Sequence, residues 1–409
     1  MKIVHISHQY YPSIGGVQSY MKNISERLVK DYADDVTLIT TNSIFGPERE
    51  AFKKIEPATE TINGVKVIRF AYRRWHIKPF RFLFKILLVL KIKIPEEWYM
   101  QLQGPYSKQM NNYLATVEAD VFFASSSNYY FMQLPLWRMC RFFYFGSIHL
   151  HEDERHDRLL LRQLQSINAS TLYIANTRFE KARMERLGVM PQKIFVLGCG
   201  VDMQPFLDSK DAETTAFKIR LNIPPKALLL SYVGRIEKTK SVRIVIEAFD
   251  KIANQFPNAF LLIAGTRSEY SDELKLVCEQ MPPSVSSRIK WLTPFDSSDK
   301  AILFNSIDVL VLPSKNESFG IVFLEAWSSK KPVIGASIGA VCDVVNDGVD
   351  GLLAVVDDAN DFANKMSILL SDEPLRKSMG ENGFNKVAEN YTWDIIVARL
   401  RKCYVDALN

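Results

Sequence analysis

Two glutamates lie in the run PSKNESFGIVFLEAW, where seven residues separate Glu317 from Glu325. VLVLPS reads as a buried strand that leads into this run, and IVFLEAW reads as the start of a helix. Backbone N–H groups of Ser318, Phe319 and Gly320 would then point out of a helix N-terminus, which is a binding site for anions such as phosphate. Carboxylates accept hydrogen bonds from sugar hydroxyls, and eight helical residues rise about 12 Å, which suits a ligand with a sugar at one end and a ribose at the other. The alternative is that Glu317 caps the helix and Glu325 faces water.

A pair of cations lies in the run YVGRIEKTK, which follows the first predicted strand of the second half of the chain. Arg235 and Lys240 would lie in a strand-to-helix loop at the carboxyl end of that strand. Arginine binds phosphate through a bidentate fork and lysine binds it as a point charge, so the pair could neutralise a diphosphate leaving group. A solvated run of charges is the alternative.

A glycine pair, Gly15 and Gly16, joins the first predicted strand to its helix in the run PSIGGVQ. Glycines at this point let the backbone approach a phosphate or a sugar closely. The run is not a G-x-G-x-x-G fingerprint, which weakens the case for a dinucleotide cofactor, and a plain tight turn is the alternative.

Three of the six histidines lie in the run GSIHLHEDERHD, after the predicted strand RFFYFGSI. One interpretation is a histidine in a catalytic cleft. A metal site built from His149, His151, Glu152 and Asp153 is a second, although no distant cluster of ligands supports it. A solvated polar loop is the third.

The segment 72–94 is the outlier in composition, with seven Lys and Arg residues and no acidic residue. Lysines interrupt its apolar part, so it is not predicted to span a membrane. A basic, aromatic, amphipathic helix can lie in an anionic membrane surface, whereas a core helix or a substrate lid is the alternative. The membrane-contact candidates are Arg74, Lys78, Arg81 and Lys85.

The chain length, the net charge and the cysteine content narrow the class of protein. A chain of 409 residues is too long for one core, so two domains or three are expected. A net charge of +5 gives no general case for nucleic-acid binding. The five cysteines show neither metal-site nor redox spacing, and Lys2 leads straight into an apparent strand rather than a signal peptide. A reducing cytoplasm is therefore the expected compartment.

Short apolar runs alternate with helical patterns along the whole chain. This alternation predicts parallel sheets covered by helices on both faces. A second series of strands begins after an irregular stretch at about residues 204–226, so the sequence predicts two doubly wound α/β domains in tandem. Ligands of such sheets bind at the carboxyl ends of the strands, and the cleft between two domains is the expected site.

Taken together and in this order, the motifs resemble retaining GT-B glycosyltransferases, specifically glycosyltransferase family 4, over nearly the whole length. GVD at 200–202, NDGVDGLL at 346–353 and YTWD near the end add to the resemblance. It implies two Rossmann-like domains facing a central cleft. The expected acceptor-binding domain comprises residues 1–203 plus the C-terminal helix 387–409, and the donor-binding domain comprises residues 204–386.

The resemblance also implies roles for individual residues. Glu325 would bind the donor ribose, Glu317 the transferred sugar, and Arg235 with Lys240 the diphosphate. His149 matches the histidine beside the transferred sugar, and Gly16 would lie near the phosphates. The predicted catalytic residues are His149, Glu317, Arg235 and Lys240. The predicted donor-binding residues are Gly15, Gly16, Arg235, Lys240, Thr293, Glu317, Ser318, Phe319, Gly320 and Glu325.

The sequence departs from the family pattern at three places. Ser241 replaces the glycine usual after the phosphate lysine, and GAVCD at 339–343 replaces the usual GG-x-P-E. Thr293 replaces a glycine in the strand before PFD. The last two places border the donor pocket in this fold, so they concern base and sugar preference.

The resulting expectation is transfer of a hexose from a UDP- or GDP-sugar to a hydroxyl of a glycan or lipid-linked glycan, with retention at the anomeric carbon. No metal and no other cofactor is expected, and the protein would work in the cytoplasm or at the cytosolic membrane face. A soluble saccharide is the alternative acceptor. Two further alternatives are a catalytically silent sugar-nucleotide-binding scaffold and a nicotinamide-dependent oxidoreductase, against which the missing G-x-G-x-x-G stands.

Overall fold

The computed structural model describes residues 1–13, 15–44, 53–72, 82–84, 86–87, 89–90, 92, 106–125, 130–146, 158–208 and 211–409. The chain forms two compact units, one of Met1–Leu197 with Val397–Asn409 and one of Gly198–Ile396. The domain boundaries predicted from the sequence lie nearby, after residue 203 and before residue 387.

The first unit is built on an eight-stranded sheet with the order β10-β9-β8-β7-β1-β2-β6-β5. Neighbouring strands run parallel, except that β5 is antiparallel to β6 at one edge. A separate antiparallel pair is formed by β3 and β4. The strands are β1 (Lys2–Ser7), β2 (Asp35–Thr41), β3 (Ser43–Ile44), β4 (Lys53–Lys54), β5 (Thr59–Ile62), β6 (Val65–Phe70), β7 (Val121–Ser125), β8 (Phe142–Phe145), β9 (Leu172–Ala175) and β10 (Ile194–Val196).

Helices cover the faces of this sheet, so its central strands are buried along nearly their whole length. The α-helices of the first part of the chain are Gly16–Tyr32, Lys108–Thr116, Leu134–Trp137, Arg158–Ala169 and Arg178–Arg186.

The final helix, Trp393–Asp406, supplies its last ten residues to the first unit. Val397, Leu400 and Tyr404 are fully buried on one stripe of this helix. The Tyr404 ring packs edge-on against Phe143, with 4.7 Å between the ring centroids. Burial of this stripe explains why an apolar helical pattern follows the second series of strands.

The second unit contains a fully parallel six-stranded sheet with the order β13-β12-β11-β14-β15-β16. Counted within this unit, the order is 3-2-1-4-5-6, the doubly wound arrangement predicted from the sequence. The strands are β11 (Leu228–Val233), β12 (Ala259–Ala264), β13 (Ile289–Leu292), β14 (Val309–Leu312), β15 (Val333–Ala336) and β16 (Gly351–Ala354). The α-helices are Gln204–Leu207, Asp211–Arg220, Val242–Ile252, Glu269–Glu279, Pro283–Ser286, Lys300–Ser306, Ile321–Ser328, Val341–Val344, Ala359–Ser371 and Glu373–Asn390.

Candidate functional site

The strand order of the second unit reverses between β11 and β14, which are hydrogen-bonded neighbours. In doubly wound sheets, ligands bind outside the carboxyl ends of the strands at this reversal. The loops that follow β11 and β14 carry Arg235, Lys240 and Glu317. Residues from two separate motifs of the sequence therefore meet at the expected place.

Lys240 and Glu317 form an ion pair, with 2.5 Å between Lys240 Nζ and Glu317 Oε1. The same ammonium group donates a second hydrogen bond to the carbonyl of Asn316 at 3.2 Å. The side chains are only 13% and 15% exposed. Lys240 is therefore not part of a solvated run of charges, and it can offer its positive charge to an anion beside the Glu317 carboxylate.

Gly320 determines where the helix after this loop begins. It has φ 86° and ψ 61°, a left-handed conformation that favours glycine, and the helix runs from Ile321 to Ser328. A Cβ atom at this position would lie 2.6 Å from the Phe323 ring. Glu317 therefore precedes the helix and does not cap it. The 12 Å rise expected for eight helical residues does not apply to the span from Glu317 to Glu325, because only its last part, from Ile321, is helical.

The backbone between Glu317 and the helix offers N–H groups to a ligand. Within the described part of the chain, the amides of Ser318, Phe319 and Gly320 donate no hydrogen bond. The Phe319 side chain is buried and packs edge-on against Tyr391, with 5.5 Å between centroids. Phe319 therefore anchors the loop with its ring and leaves its backbone free to bind an anion.

Glu325 lies on a helix whose neighbouring residues are almost all buried, and its own exposure is 9%. The interpretation of a water-facing glutamate is therefore wrong. Lys300, the first residue of the helix Lys300–Ser306, donates a hydrogen bond of 2.7 Å from Nζ to Glu325 Oε1. Lys300 was not among the site residues predicted from the sequence.

Arg235 lies closer to solvent than Lys240, and its Nη1 atom donates to both carboxylate oxygens of Glu237 at 2.9 Å. Its backbone is held by Tyr232, whose hydroxyl donates to the Arg235 carbonyl at 2.6 Å. Burial, with a further contribution from the Glu317 charge, raises the pKa of Tyr232 well above its usual value. Tyr232 therefore stays protonated and holds this loop in place.

Ser241 adopts φ 51° and ψ 32° at the start of the helix Val242–Ile252. This left-handed conformation disfavours any residue with a Cβ atom. It explains why glycine is usual at this position in the family that the sequence resembles. Its buried hydroxyl has no hydrogen-bond partner among the described residues. The departure from the family pattern therefore adds strain beside Lys240 without adding a contact.

Asp350, in the NDGVDGLL signature, is hydrogen-bonded to the helix that carries Glu325. Its buried carboxylate accepts hydrogen bonds from the backbone N–H of Asn346 at 2.9 Å and from Lys386 Nζ at 2.7 Å. Burial raises the pKa of Asp350, and its carbonyl accepts a hydrogen bond from Trp327 Nε1 at 2.8 Å. Asp350 thus has a structural role in the second unit.

Thr293 follows β13, the edge strand of the second sheet, and its hydroxyl lies 3.3 Å from Lys275 Nζ. Gly15 and Gly16 lie in the first unit at the start of the helix Gly16–Tyr32. Gly15 has an extended conformation that any residue can adopt. A Cβ atom at Gly16 would meet no described atom within 4 Å. The roles predicted for these three residues stay predictions.

Several predicted residues lie outside the described residues: His149 with the alternative metal ligands, and the membrane-contact candidates Arg74, Lys78, Arg81 and Lys85. In the ranges that the structure describes, no group of three or more His, Cys, Asp or Glu residues could hold a metal ion. No helix in those ranges is both long enough and apolar enough to cross a bilayer.

Each half of the chain matches a glycosyltransferase family model. Residues 14–205 match the model of "Glycosyltransferase Family 4", and residues 213–386 match that of "Glycosyl transferases group 1". The chain belongs to glycosyltransferase family 4. The predicted family is therefore confirmed, and it does not fit the oxidoreductase alternative.

Relatives of this family 4 chain carry glycosyltransferase names. It is 27% identical over 261 residues to a D-inositol 3-phosphate glycosyltransferase of Corynebacterium aurimucosum, covering 63% of this chain and 61% of the relative. The match thus spans about three fifths of that protein's length. It is also 25% identical to an uncharacterized glycosyltransferase of Methanocaldococcus jannaschii, covering 100% of this chain and 99% of the relative.

Solved structures confirm the fold class. The crystal structure of Anabaena HepE in complex with UDP and glucose aligns with a TM-score of 0.72 at 16% identity, over 99% of this chain and 100% of that one. The likeness shows that the predicted GT-B fold is correct.

Proposed function

We propose that this family 4 protein is a retaining glycosyltransferase that moves a hexose from a UDP- or GDP-sugar to a hydroxyl group of a glycan or lipid-linked glycan. The observation that carries the proposal is the contact between Lys240 and Glu317 at the strand-order reversal, beside three free backbone amides. A cation, a carboxylate and free amides at one point provide groups for a phosphate and for a sugar. The crystal structure of HepE, a complex with UDP and glucose, supports a UDP-sugar as the donor.

Different described residues bind different parts of the donor. Lys240, Arg235 and the amides of residues 318–320 bind the diphosphate, since cations and free N–H groups are the groups that stabilise phosphate oxygens. Glu317 accepts hydrogen bonds from hydroxyls of the transferred sugar. Glu325 accepts hydrogen bonds from the ribose hydroxyls.

In the proposed reaction, the bond between the anomeric carbon and the diphosphate oxygen breaks while the acceptor oxygen bonds to the same face of that carbon. Negative charge builds up on the departing phosphate, where Lys240, Arg235 and the amides stabilise it electrostatically. The acceptor proton passes to an oxygen of that phosphate. The proposal thus needs neither a protein general base nor a metal ion.

Donor binding must rearrange the pairing between Lys240 and Glu317. The ammonium group bonds to Glu317 and to the Asn316 carbonyl. When phosphate enters, Lys240 shares its charge with the anion, and the Glu317 carboxylate gains capacity to accept hydrogen bonds from sugar hydroxyls. The ion pair therefore holds both groups in position before the donor arrives.

A membrane-borne acceptor is proposed from the segment 72–94. Large apolar side chains are exposed in its described part, including Phe82 at 68%, Val89 at 80% and Leu90 at 60%. Exposed apolar groups within a run of seven cations suit the anionic surface of a bilayer. A soluble saccharide is the alternative acceptor.

The proposed reaction is tested by ¹H NMR of UDP-glucose and of a GDP-hexose with the purified protein, with and without membrane extract as a source of acceptor. Consumption of one donor, with a product of the donor's own anomeric configuration, supports the proposal. A product of inverted configuration contradicts retention. Donor binding without any consumption under either condition favours the silent scaffold.

A further inference from the structure

We propose that Lys300 is the positioning residue for Glu325 and so determines how strongly the site discriminates in favour of a ribose over a deoxyribose. The inference rests on the proposed function, since it concerns the ribose of the donor nucleotide. It assigns to Lys300 a role that neither motif of the sequence indicates.

Glu325 needs a cationic partner because of where it lies. The helix Ile321–Ser328 is apolar, and the residues on either side of Glu325, Leu324 and Ala326, are fully buried. A carboxylate in such surroundings is costly unless it is paired and hydrogen-bonded. Glu325 accepts one hydrogen bond, from Lys300, and accepts no other from the residues that the structure describes.

The contact between Lys300 and Glu325 leaves one carboxylate oxygen available to a ligand. Lys300 Nζ lies 2.7 Å from Oε1, whereas Oε2 accepts no hydrogen bond from a described residue. A cation on one oxygen restrains the position of the carboxylate and leaves the other oxygen to accept from a ribose hydroxyl. The two side chains come from different helices and are 25 positions apart, so the geometry depends on the packing of both.

Lys300 is poorly placed for the stability of its own helix. It is the first residue of Lys300–Ser306, where the positive end of the helix dipole disfavours a cation. The preceding acid does not pair with it, because Asp299 Oδ2 accepts a hydrogen bond of 2.7 Å from Arg220. Its contact with Glu325 accounts for the position of this lysine.

The test measures binding of UDP and 2′,3′-dideoxy-UDP by calorimetry, with GDP and its dideoxy counterpart in parallel. Lys300→Met should reduce the preference for the ribose form about tenfold, the size expected for one hydrogen bond to a charged group. Lys300→Arg should restore most of the preference, and Glu325→Gln combined with Lys300→Met should lose no more than Glu325→Gln alone. The matched control is Lys377→Met, which removes an exposed lysine paired with Glu373 in the same unit.

Each outcome decides the inference. A loss of ribose preference in Lys300→Met that exceeds the loss in Lys377→Met, with the melting temperature maintained, supports it. If the wild type prefers the ribose form, Glu325→Gln abolishes the preference and Lys300→Met retains it, the inference is wrong while the proposed function stands. If the wild type binds none of the nucleotides, the proposed function fails, and the inference fails with it.

Discussion

Lys240 and Glu317 are 77 positions apart in the sequence and are joined by an ion pair at the carboxyl ends of two neighbouring strands. Each residue comes from a motif that is weak by itself. Their contact turns two weak motifs into one site that has both a cation and a carboxylate. This arrangement suits a ligand that carries a phosphate next to a sugar.

Replacing Lys240 by Gln should reduce the rate of sugar transfer about 100-fold or more, because one preorganised charge at the leaving phosphate is removed. The matched control is Lys238→Gln in the same loop, whose side chain is 75% exposed and lies 3.8 Å from Glu273. The measurement is the turnover of the preferred nucleotide sugar at saturating donor. Equal losses in the two variants would contradict the role of Lys240.

Replacing Ser241 by Gly should raise the free energy of unfolding by about 1 kcal/mol. Relief of the left-handed strain contributes about 1–2 kcal/mol, and the added freedom of the unfolded chain offsets part of it. Ser241→Ala keeps the strain and removes only the unpartnered hydroxyl, so it separates the two effects. Urea unfolding measures both variants. A less stable glycine variant would show that the serine makes a favourable contact here.

Replacing Gly16 by Leu should weaken donor binding about tenfold or more and leave the melting temperature nearly unchanged. A Cβ atom at this position would meet no described atom within 4 Å, and Gly16 is the first residue of a helix. Its cost should therefore fall on the ligand rather than on the fold. Calorimetric titration with the preferred donor, paired with a thermal melt, checks both parts. Unchanged donor affinity would remove Gly16 from the predicted site.

Stability should decrease in mild acid because of His5. Burial lowers the pKa of His5 to about 3, against about 6.5 in the unfolded chain. Between these values the unfolded state binds the extra proton, so the stabilisation is complete above pH 6.5 or so and is lost as the pH falls towards 3. The expected loss from this group at pH 5 is about 2 kcal/mol.

The hydrogen bonds of His5 suit the neutral ring that its burial favours. Its Nδ1 lies 2.7 Å from Ser25 Oγ, and that hydroxyl donates to the Met21 carbonyl at 2.6 Å, so Nδ1 carries the proton. Nε2 then accepts from the Tyr404 hydroxyl at 3.4 Å. Chemical denaturation at pH 5 and pH 7 should show a smaller difference for His5→Gln than for the wild type. An identical difference would assign the acid sensitivity to other groups, such as His8, whose pKa burial lowers to about 4.

The basic segment should govern binding to anionic membranes. A triple variant in which Lys78, Arg81 and Lys85 become Glu should lose most of its binding to vesicles that contain anionic lipid, because the attraction of three cations is removed and repulsion is added. Co-sedimentation with vesicles measures the effect.

The matched control for this variant makes the same change of charge in the second unit. It replaces three exposed lysines by Glu, namely Lys226, Lys251 and Lys377. Unchanged vesicle binding by the first triple variant, or an equal loss in both, would favour the soluble acceptor.

The sequence was sufficient for the parallel strands and for the loops that carry chemistry, because buried strands and strand-to-helix loops have local signatures. The antiparallel hairpin of β5 and β6 was not predicted, although its turn has the Asn-Gly sequence that is typical of two-residue hairpin turns. Asn63 and Gly64 both have positive φ angles, as a two-residue Asn-Gly turn requires.

Two features of the site could not be predicted from local patterns. Lys300 contacts Glu325 only because two helices pack side by side, and spacing along the chain does not encode that contact. The left-handed conformation of Gly320 was also not predicted, although the sequence correctly placed the end of the loop before Ile321. Tertiary contacts and one backbone conformation decide these points.

The central claim, that a nucleotide sugar binds at the ends of β11 and β14, is tested most directly by a thermal-shift panel. UDP-, GDP-, ADP- and CMP-sugars are compared with and without EDTA, on the wild type and on Glu325→Ala. The account predicts stabilisation by a UDP- or GDP-sugar, independent of EDTA and lost in the variant. No shift with any nucleotide sugar, or a shift that survives Glu325→Ala unchanged, would contradict it.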